Sequence, residues 1–402
     1  MQTHAHFLSQ KLSEKSYEIQ VLTYRFEDIE NDRFYPFPVL RILSRLSFWN
    51  NISIIKKAAF DFNPDLIYSS TVFYGILEKE LKIPVICRSV GNDVLRPWIS
   101  YPFKWGKKIL NLKLIEKKIY RLSKKLNHPE WVENFFIKSR FEVMRQSALN
   151  ASHILANSHY TASLLEKIGV LKENIQTLPG GVDYKQFKNP YLNNSQRIKD
   201  LRIKLKIPEN RLIFLTPCRM VKKKGVDFAL NTAKKLKKIL PQVFFLFLGD
   251  GKYQDQYIKK SLHLSLSDTV CFTGRIPFEK LNEYYWASDF LFFPSREEIH
   301  PKTGLKDVET MGRVLCEANA ASLPVISSRT GGTPSIIEHG INGLLFEPEN
   351  FDDFYTQLKR FLDSPQEKET MTKEGILRAK NFFDWDFIVQ HHEKVFLSLI
   401  EK

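Results

Sequence analysis

Short apolar runs alternate with amphipathic stretches along all 402 residues. In the first half, YEIQVLTY (17–24), PDLIYSS (64–70), PVICRSV (84–90), HILANS (153–158) and IQTLP (175–179) read as strands. Helical segments such as SLLEKIGV (163–170) lie between them. In the second half the strand-like runs are RLIFLTP (211–217), VFFLFLG (243–249), TVCFTG (269–274), DFLFFPS (289–295) and PVISS (324–328). After Gly312 the positions Val314, Leu315, Ala318 and Ala321 mark a short buried helix. This alternation predicts an α/β chain of two doubly wound, parallel-sheet domains facing across a cleft. The first spans 1–188 and is completed by a C-terminal helix at 382–402. A polar linker with one short helix covers 189–208, and the second domain spans 209–381. Ligands of such sheets bind at the carboxyl ends of the strands, so the cleft is the expected site. QTHAHFLSQKLSE (2–14) reads as helix where such a domain ordinarily opens with a strand. Either the first strand is missing from this chain, or the sheet is built without it.

Composition narrows the class. With 43% hydrophobic and 26% charged residues the chain is an ordinary globular one. Cys87, Cys218, Cys271 and Cys316 are scattered without a CxxC pair, as in a reducing compartment. The first twenty residues hold no long apolar core of a signal peptide, and VFFLFLG is far too short to span a bilayer. The expectation is a cytoplasmic protein. Its net charge is +15, and the densest basic stretch, 101–150, carries 12 Lys+Arg against 4 Asp+Glu, interleaved with aromatic and aliphatic residues. Such a stretch suits an anionic membrane surface, which would make the protein peripheral on the inner face of the cell membrane. Nucleic acid is the competing partner and is disfavoured, because no recognised nucleic-acid motif accompanies the charge. A plain solvated lysine face is the simplest reading and stands ahead of both.

The candidate chemistry clusters in the second half. Glu309 and Glu317 flank Gly312 at the start of the short helix. A helix start offers free N–H groups and partial positive charge to a phosphate. Carboxylates there repel phosphate but accept hydrogen bonds from sugar hydroxyls. The plain alternative is that Glu309 caps the helix while Glu317 pairs with an arginine. LTPCRMVKKKGVDFAL places Arg219 just after a strand and Lys224-Gly225 before a helix, a natural diphosphate clamp. Lys222 and Lys223 fit a solvated loop. Gly249-Asp250-Gly251 and Gly274 each follow a strand, where backbone approaches a ligand; such turns are common on their own.

The order R-x4-K-G, GDG, F-x-G, PS, E-x7-E, PVI…GG resembles that of the retaining family 4 glycosyltransferases, which have the GT-B fold. Ser158, Gly181, Val182, Asp183 and Phe187 are similar to that family's inter-domain region, and NFFDWDFIVQHHEKVF (381–396) to its closing helix. The resemblance implies that Arg219 and Lys224 hold a donor diphosphate. It implies that Glu317 bonds the nucleotide ribose, that the catalytic Glu309 holds hydroxyls of the transferred sugar, and that backbone around Met311, Gly312, Arg313 and Val314 meets the distal phosphate. Gly249, Gly274 and Arg275 complete the donor side, with base choice near Arg275 and Ile276. It further implies attack by the acceptor on the same face, no cofactor, no required metal, and a glycan or lipid-linked acceptor. Asp384-Trp385-Asp386 fits a helix cap better than a metal site.

The family pattern implies that the first strand and its glycine-rich loop are missing at the N-terminus here, and three further features depart from it. Val90-Gly91 stands where relatives carry His-Gly, leaving Gly91, Asn92 and Asp93 as acceptor-side candidates. Glu309-Thr310-Met311-Gly312 replaces E-G-F-G, and Ser335 stands where Glu is common. The reading is a retaining hexosyltransferase using a nucleotide-sugar donor in surface polysaccharide or glycolipid synthesis. The alternatives are an epimerase-type enzyme of the same fold and a non-catalytic, truncated relative.

Overall fold

A computed structural model describes residues 2–24, 35–44, 48–97, 130–192, 194–301 and 303–401. The chain divides into two compact units. Unit 1 comprises Met1–Leu178, Ile299–Lys306 and Val389–Lys402; unit 2 comprises Pro179–Glu298 and Asp307–Ile388.

Unit 1 opens with helix α1 (Gln2–Ser13) and a parallel pair, β1 (Val21–Tyr24) and β2 (Val39–Leu43). Helix α2 (Phe48–Phe62) follows. A four-stranded parallel sheet is built in order from β3 (Ile67–Ser69), β4 (Val85–Ser89), β5 (His153–Ala156) and β6 (Ile175–Thr177). Its core packs Val85, Cys87, Ile154 and Ala156 against Met144 and Ala148 of α3 (Glu130–Asn150) and Leu165 of α4 (His159–Lys167). Most of the basic stretch expected to meet a membrane, residues 101–129, lies outside the described residues. Among the described residues, no helix is long and apolar enough to cross a membrane.

Unit 2 holds a six-stranded parallel sheet. Its strands are β7 (Leu212–Pro217), β8 (Val243–Leu248), β9 (Val270–Phe272), β10 (Phe290–Phe293), β11 (Val325–Ser328) and β12 (Leu344–Phe346). Their spatial order is β12-β11-β10-β7-β8-β9. Helices α5 (Val226–Ile239), α6 (Gln254–His263), α7 (Phe278–Trp286), α8 (Arg313–Ala320), α9 (Phe351–Asp363) and α10 (Pro365–Arg378) join them, and α11 (Trp385–Ile400) closes the chain. Strands buried on both faces need no polar alternation, which is why VFFLFL is continuously apolar. One face of the sheet carries a phenylalanine cluster. Phe214 stacks on Phe245 and Phe290, and Phe292 packs on Phe346 and Phe354, 4.6 Å between centroids for the last pair.

Each of the ten strand-like runs contains a strand. β2, interrupted by Arg41, and the three-residue β12 were not among those runs. The segment expected to be a linker is part of unit 2. Its helix, Ser195–Lys204, is capped by Asn194, and Leu201 and Ile207 join the unit 2 core. Arg202 is buried and reaches Asp289 at 2.8 Å and the Ala287 carbonyl at 2.8 Å, so its charge is compensated inside the fold. Asp384 serves as a cap, its Oδ1 accepting from the Asp386 N–H at 3.0 Å.

Truncating Phe292, which is fully buried, removes ring contacts on three sides. Phe292→Ala is expected to destabilise unit 2 by about 3–5 kcal/mol, read as a lower urea midpoint; a change below about 1 kcal/mol would place this ring outside the essential core.

Candidate functional site

The strand order of unit 2 reverses beside β7: β8 and β9 follow on one side, and β10 starts the other. Where the order reverses, loops leaving adjacent strands turn to opposite faces and open a crevice at the carboxyl edge. Arg219 leaves β7, Gly249 leaves β8 and Gly274 leaves β9 at that edge. The Gly249 N–H donates to the Gly274 carbonyl at 2.8 Å, joining two of these loops.

Two glycines let the loops touch. Gly225, at φ +67°, lies so close to the end of β10 that a Cβ would stand 1.7 Å from the Pro294 carbonyl oxygen. Gly332 donates its N–H to the Glu309 carbonyl at 2.9 Å, and a Cβ there would stand 1.8 Å from the Thr310 carbonyl oxygen. No other residue fits either contact without moving backbone. A buried hydroxyl network fixes the same edge: Ser295 Oγ meets Ser328 Oγ at 3.2 Å and Thr330 Oγ1 at 3.0 Å.

These contacts bring together residues far apart in sequence. Lys224 Nζ lies 2.5 Å from Glu309 Oε2, both side chains being almost enclosed, and 4.8 Å from the Phe293 ring centre. Burial alone would push the Glu309 carboxyl up. The Lys224 ammonium and its hydrogen bond, the charge of Lys223 and the Met311 N–H outweigh it, and the carboxyl is held below its ordinary value. Glu309 is therefore a carboxylate, an acceptor only. Gly312, at φ +86°, is the N-cap of α8 and gives that helix no side-chain cap. The first turn thus presents its partial positive charge where Glu309 and Lys224 meet.

Glu317, one turn into α8, is 3% exposed. Tyr285 Oη donates to its Oε2 at 2.7 Å, and Arg313 Nε stands 3.3 Å from its Oε1. The arginine-pairing alternative for Glu317 thus holds. The capping alternative for Glu309 goes no further than its bond from the Met311 N–H. Met311 is buried, its sulfur accepting the Gly180 N–H at 3.2 Å, and Val314 is half-buried. Arg219 and Arg275 are exposed, and among the described residues Arg219 makes no ion pair.

Lys223 departs from the expected solvated loop. It is 5% exposed, its Nζ lying 2.8 Å from Asp307 Oδ1 and donating to the Val308 carbonyl at 3.1 Å. Neither it nor Tyr285 was legible as part of the site. The only signal was position: one lysine in a run of three, one tyrosine in YYW.

Gly91, Asn92 and Asp93 lie in unit 1. Gly91, at φ +77°, is the N-cap of the short helix Asn92–Leu95. Asp93 is corrected from acceptor contact to framework. Its Oδ1 accepts from Ser89 Oγ at 2.9 Å and the Val90 N–H at 3.2 Å, and its Oδ2 from the Val72 N–H at 3.2 Å. Burial still pushes its carboxyl up. Asn92 Oδ1 is buried and makes no hydrogen bond among the described residues.

A lone cationic arginine, a lysine–carboxylate pair, an uncapped helix start and a buried carboxylate lie together on one α/β edge. Comparison with known proteins gives the class. Residues 197–378 match the family Glycosyl transferases group 1, and residues 1–186 match Glycosyltransferase Family 4. The chain belongs to the family 4, group 1 glycosyltransferases. It is 26% identical over 261 residues to a sulfoquinovosyl transferase of Arabidopsis thaliana, covering 64% of this chain and 46% of that one. It is 26% identical over 242 residues to a GDP-mannose-dependent phosphatidylinositol monomannoside mannosyltransferase of Mycolicibacterium smegmatis, covering 60% and 61%. The matches thus span less than two thirds of these relatives' own length. Among solved structures, HepE of Anabaena with UDP and glucose aligns at TM-score 0.70 and 19% identity, over 98% of this chain and 94% of that one. A glycosyltransferase of Rickettsia africae aligns at 0.72 and 16%, over 100% and 95%. The fold is GT-B.

The Lys224–Glu309 pair sets a pH dependence. Because folding lowers the Glu309 carboxyl, its contribution is complete above the ordinary value of 4.5 and is lost as pH falls through the folded value. The melting-temperature gap between the wild type and Glu309→Gln is expected to be flat from about pH 9 to pH 5 and to narrow below it. A gap that widens on acidification would contradict the pairing.

Proposed function

We propose that this chain is a retaining glycosyltransferase that moves a hexosyl unit from a nucleotide-sugar donor to a glycan or lipid-linked acceptor. The observation that carries the reading is the convergence of Arg219, Lys224, Glu309, Glu317 and the uncapped start of α8 on one edge of the unit 2 sheet. Family membership and the UDP named with HepE support a nucleotide-sugar donor.

In this reading the diphosphate lies against α8, with Arg219 and Lys224 on its oxygens. As the sugar–phosphate bond breaks, negative charge builds on the leaving diphosphate, and these cations and the helix start stabilise it. The leaving group then needs no metal from this design. Lys224 moves from Glu309 to a phosphate oxygen when phosphate arrives. The carboxylate so released accepts hydrogen bonds from sugar hydroxyls. Glu317, held by Tyr285, accepts from the ribose. The acceptor hydroxyl attacks from the face the diphosphate leaves and passes its proton to the departing phosphate oxygen, and same-face attack preserves the anomeric configuration. Gly91 and Asn92 are the remaining acceptor-side candidates of unit 1. A peripheral membrane location, with synthesis of surface polysaccharide or glycolipid, rests on the basic 101–150 stretch and on the phosphatidylinositol mannoside named for one relative.

The test is thermal stabilisation by UDP-, GDP- and ADP-sugars, with Glu317→Gln alongside. A ligand at about 100 times its Kd stabilises by roughly 2.7 kcal/mol. One base is expected to raise the wild-type melting point, with most of the shift lost in Glu317→Gln. No shift with any base, or a shift the variant keeps in full, would remove the donor site from this edge.

A further inference from the structure

Three lysines sit side by side in the 3-10 turn Lys222–Lys224, and the fold gives them different surroundings. Lys222 is exposed. Lys224 faces Glu309. Lys223 points into the protein, where it is 5% exposed and its ammonium meets Asp307 and Val308, in the segment that leads to Glu309. Its ammonium lies 2.8 Å from Asp307 Oδ1 and bonds the Val308 carbonyl at 3.1 Å. Its own carbonyl accepts the Arg296 N–H at 2.8 Å, on the strand-exit side of the same loop. Arg296 is in turn pinned by Glu298 and Glu349, each at 2.7 Å. One residue therefore ties the phosphate-side turn to both ends of the excursion between β10 and α8.

A buried ammonium this enclosed is costly unless it is paired and hydrogen-bonded. Lys223 meets that cost without facing the crevice. Its two partners are the two residues immediately before Glu309, and a carboxylate whose backbone shifts by 1 Å loses its aim at a sugar hydroxyl.

We propose that Lys223 is a positioning residue. It fixes residues 307–308, and so the Glu309 carboxylate, while the neighbouring Lys224 is given over to the donor phosphate. This inference rests on the donor-site reading above. Lys224 exchanges its carboxylate partner for phosphate; Lys223 keeps Asp307 and Val308 throughout. The turn can then release Glu309 electrostatically without releasing it in space.

The test compares two ligands on each variant by calorimetry: the nucleoside diphosphate (UDP, GDP or ADP, as the wild type selects) and its glucose or mannose nucleotide sugar. Both place phosphate on Lys224, but only the sugar meets Glu309. Lys223→Met is expected to weaken the nucleotide sugar about 10-fold or more and the bare diphosphate no more than about 2-fold, as Glu309→Gln does. Lys223→Arg, which keeps the charge, should recover most of the loss. Circular dichroism confirms folding of each variant, and Asp307→Asn repeats the comparison where Lys223→Met does not fold. Equal weakening of both ligands would mean that Lys223 merely supports the fold, and no change in either would mean that it positions nothing; each outcome overturns the proposal while leaving the donor site intact. A wild type that binds neither ligand removes the donor-site reading itself, and the proposal with it.

Discussion

The site depends on one ion pair made across the sheet, between Lys224 at the exit of β7 and Glu309 ahead of α8. An ammonium and a carboxylate this enclosed are stable only as partners, since removing either leaves a buried charge uncompensated. That constraint fixes two loops that the chain otherwise separates by 85 residues. It also explains the crowding around them. Gly225 against Pro294 and Gly332 against Thr310 are contacts closer than any side chain permits, and they bring the pair within reach. The Ser295–Ser328–Thr330 hydroxyls hold the adjoining strand exits in place.

The same pair gives the site its chemical character. A phosphate needs cations and N–H donors; a sugar needs acceptors. Arranged separately, carboxylates beside a phosphate seat would only weaken binding. In the proposed reading each carboxylate is held by its own partners until a ligand arrives, Glu309 by Lys224 and Glu317 by Arg313 and the Tyr285 hydroxyl. A donor carrying both groups satisfies both halves of each pair. The reversal of strand order at β7 and β10 is what puts a helix start beside them.

Much of this was legible in the sequence, for physical reasons. Strands buried on both faces are continuous apolar runs, so VFFLFL and FLFF announce themselves. Arg219, Lys224, Glu309 and Glu317 stood out through the resemblance of R-x4-K-G and E-x7-E to the family order, the first two in a strand-to-helix loop and Glu317 in an eight-residue helix. The rest depends on direction. In a 3-10 turn adjacent side chains diverge by a third of a circle, so KKK does not reveal which lysine is buried. Asp93 became an acceptor-side candidate because it follows Val90-Gly91, where the family pattern has His-Gly; its buried carboxyl accepts instead from the N–H groups of Val72 and Val90. The polar stretch near 200 looked like a linker because Arg202 is charged, yet that charge is matched by Asp289 inside unit 2.

The most direct measurement is a crystal structure of this chain with the nucleoside diphosphate that stabilises it. The account predicts the distal phosphate at the first turn of α8, Lys224 moved from Glu309 onto a phosphate oxygen, and Lys223 still on Asp307 and the Val308 carbonyl. A diphosphate bound elsewhere, or one bound at α8 with the Lys224–Glu309 pair unchanged, would contradict it.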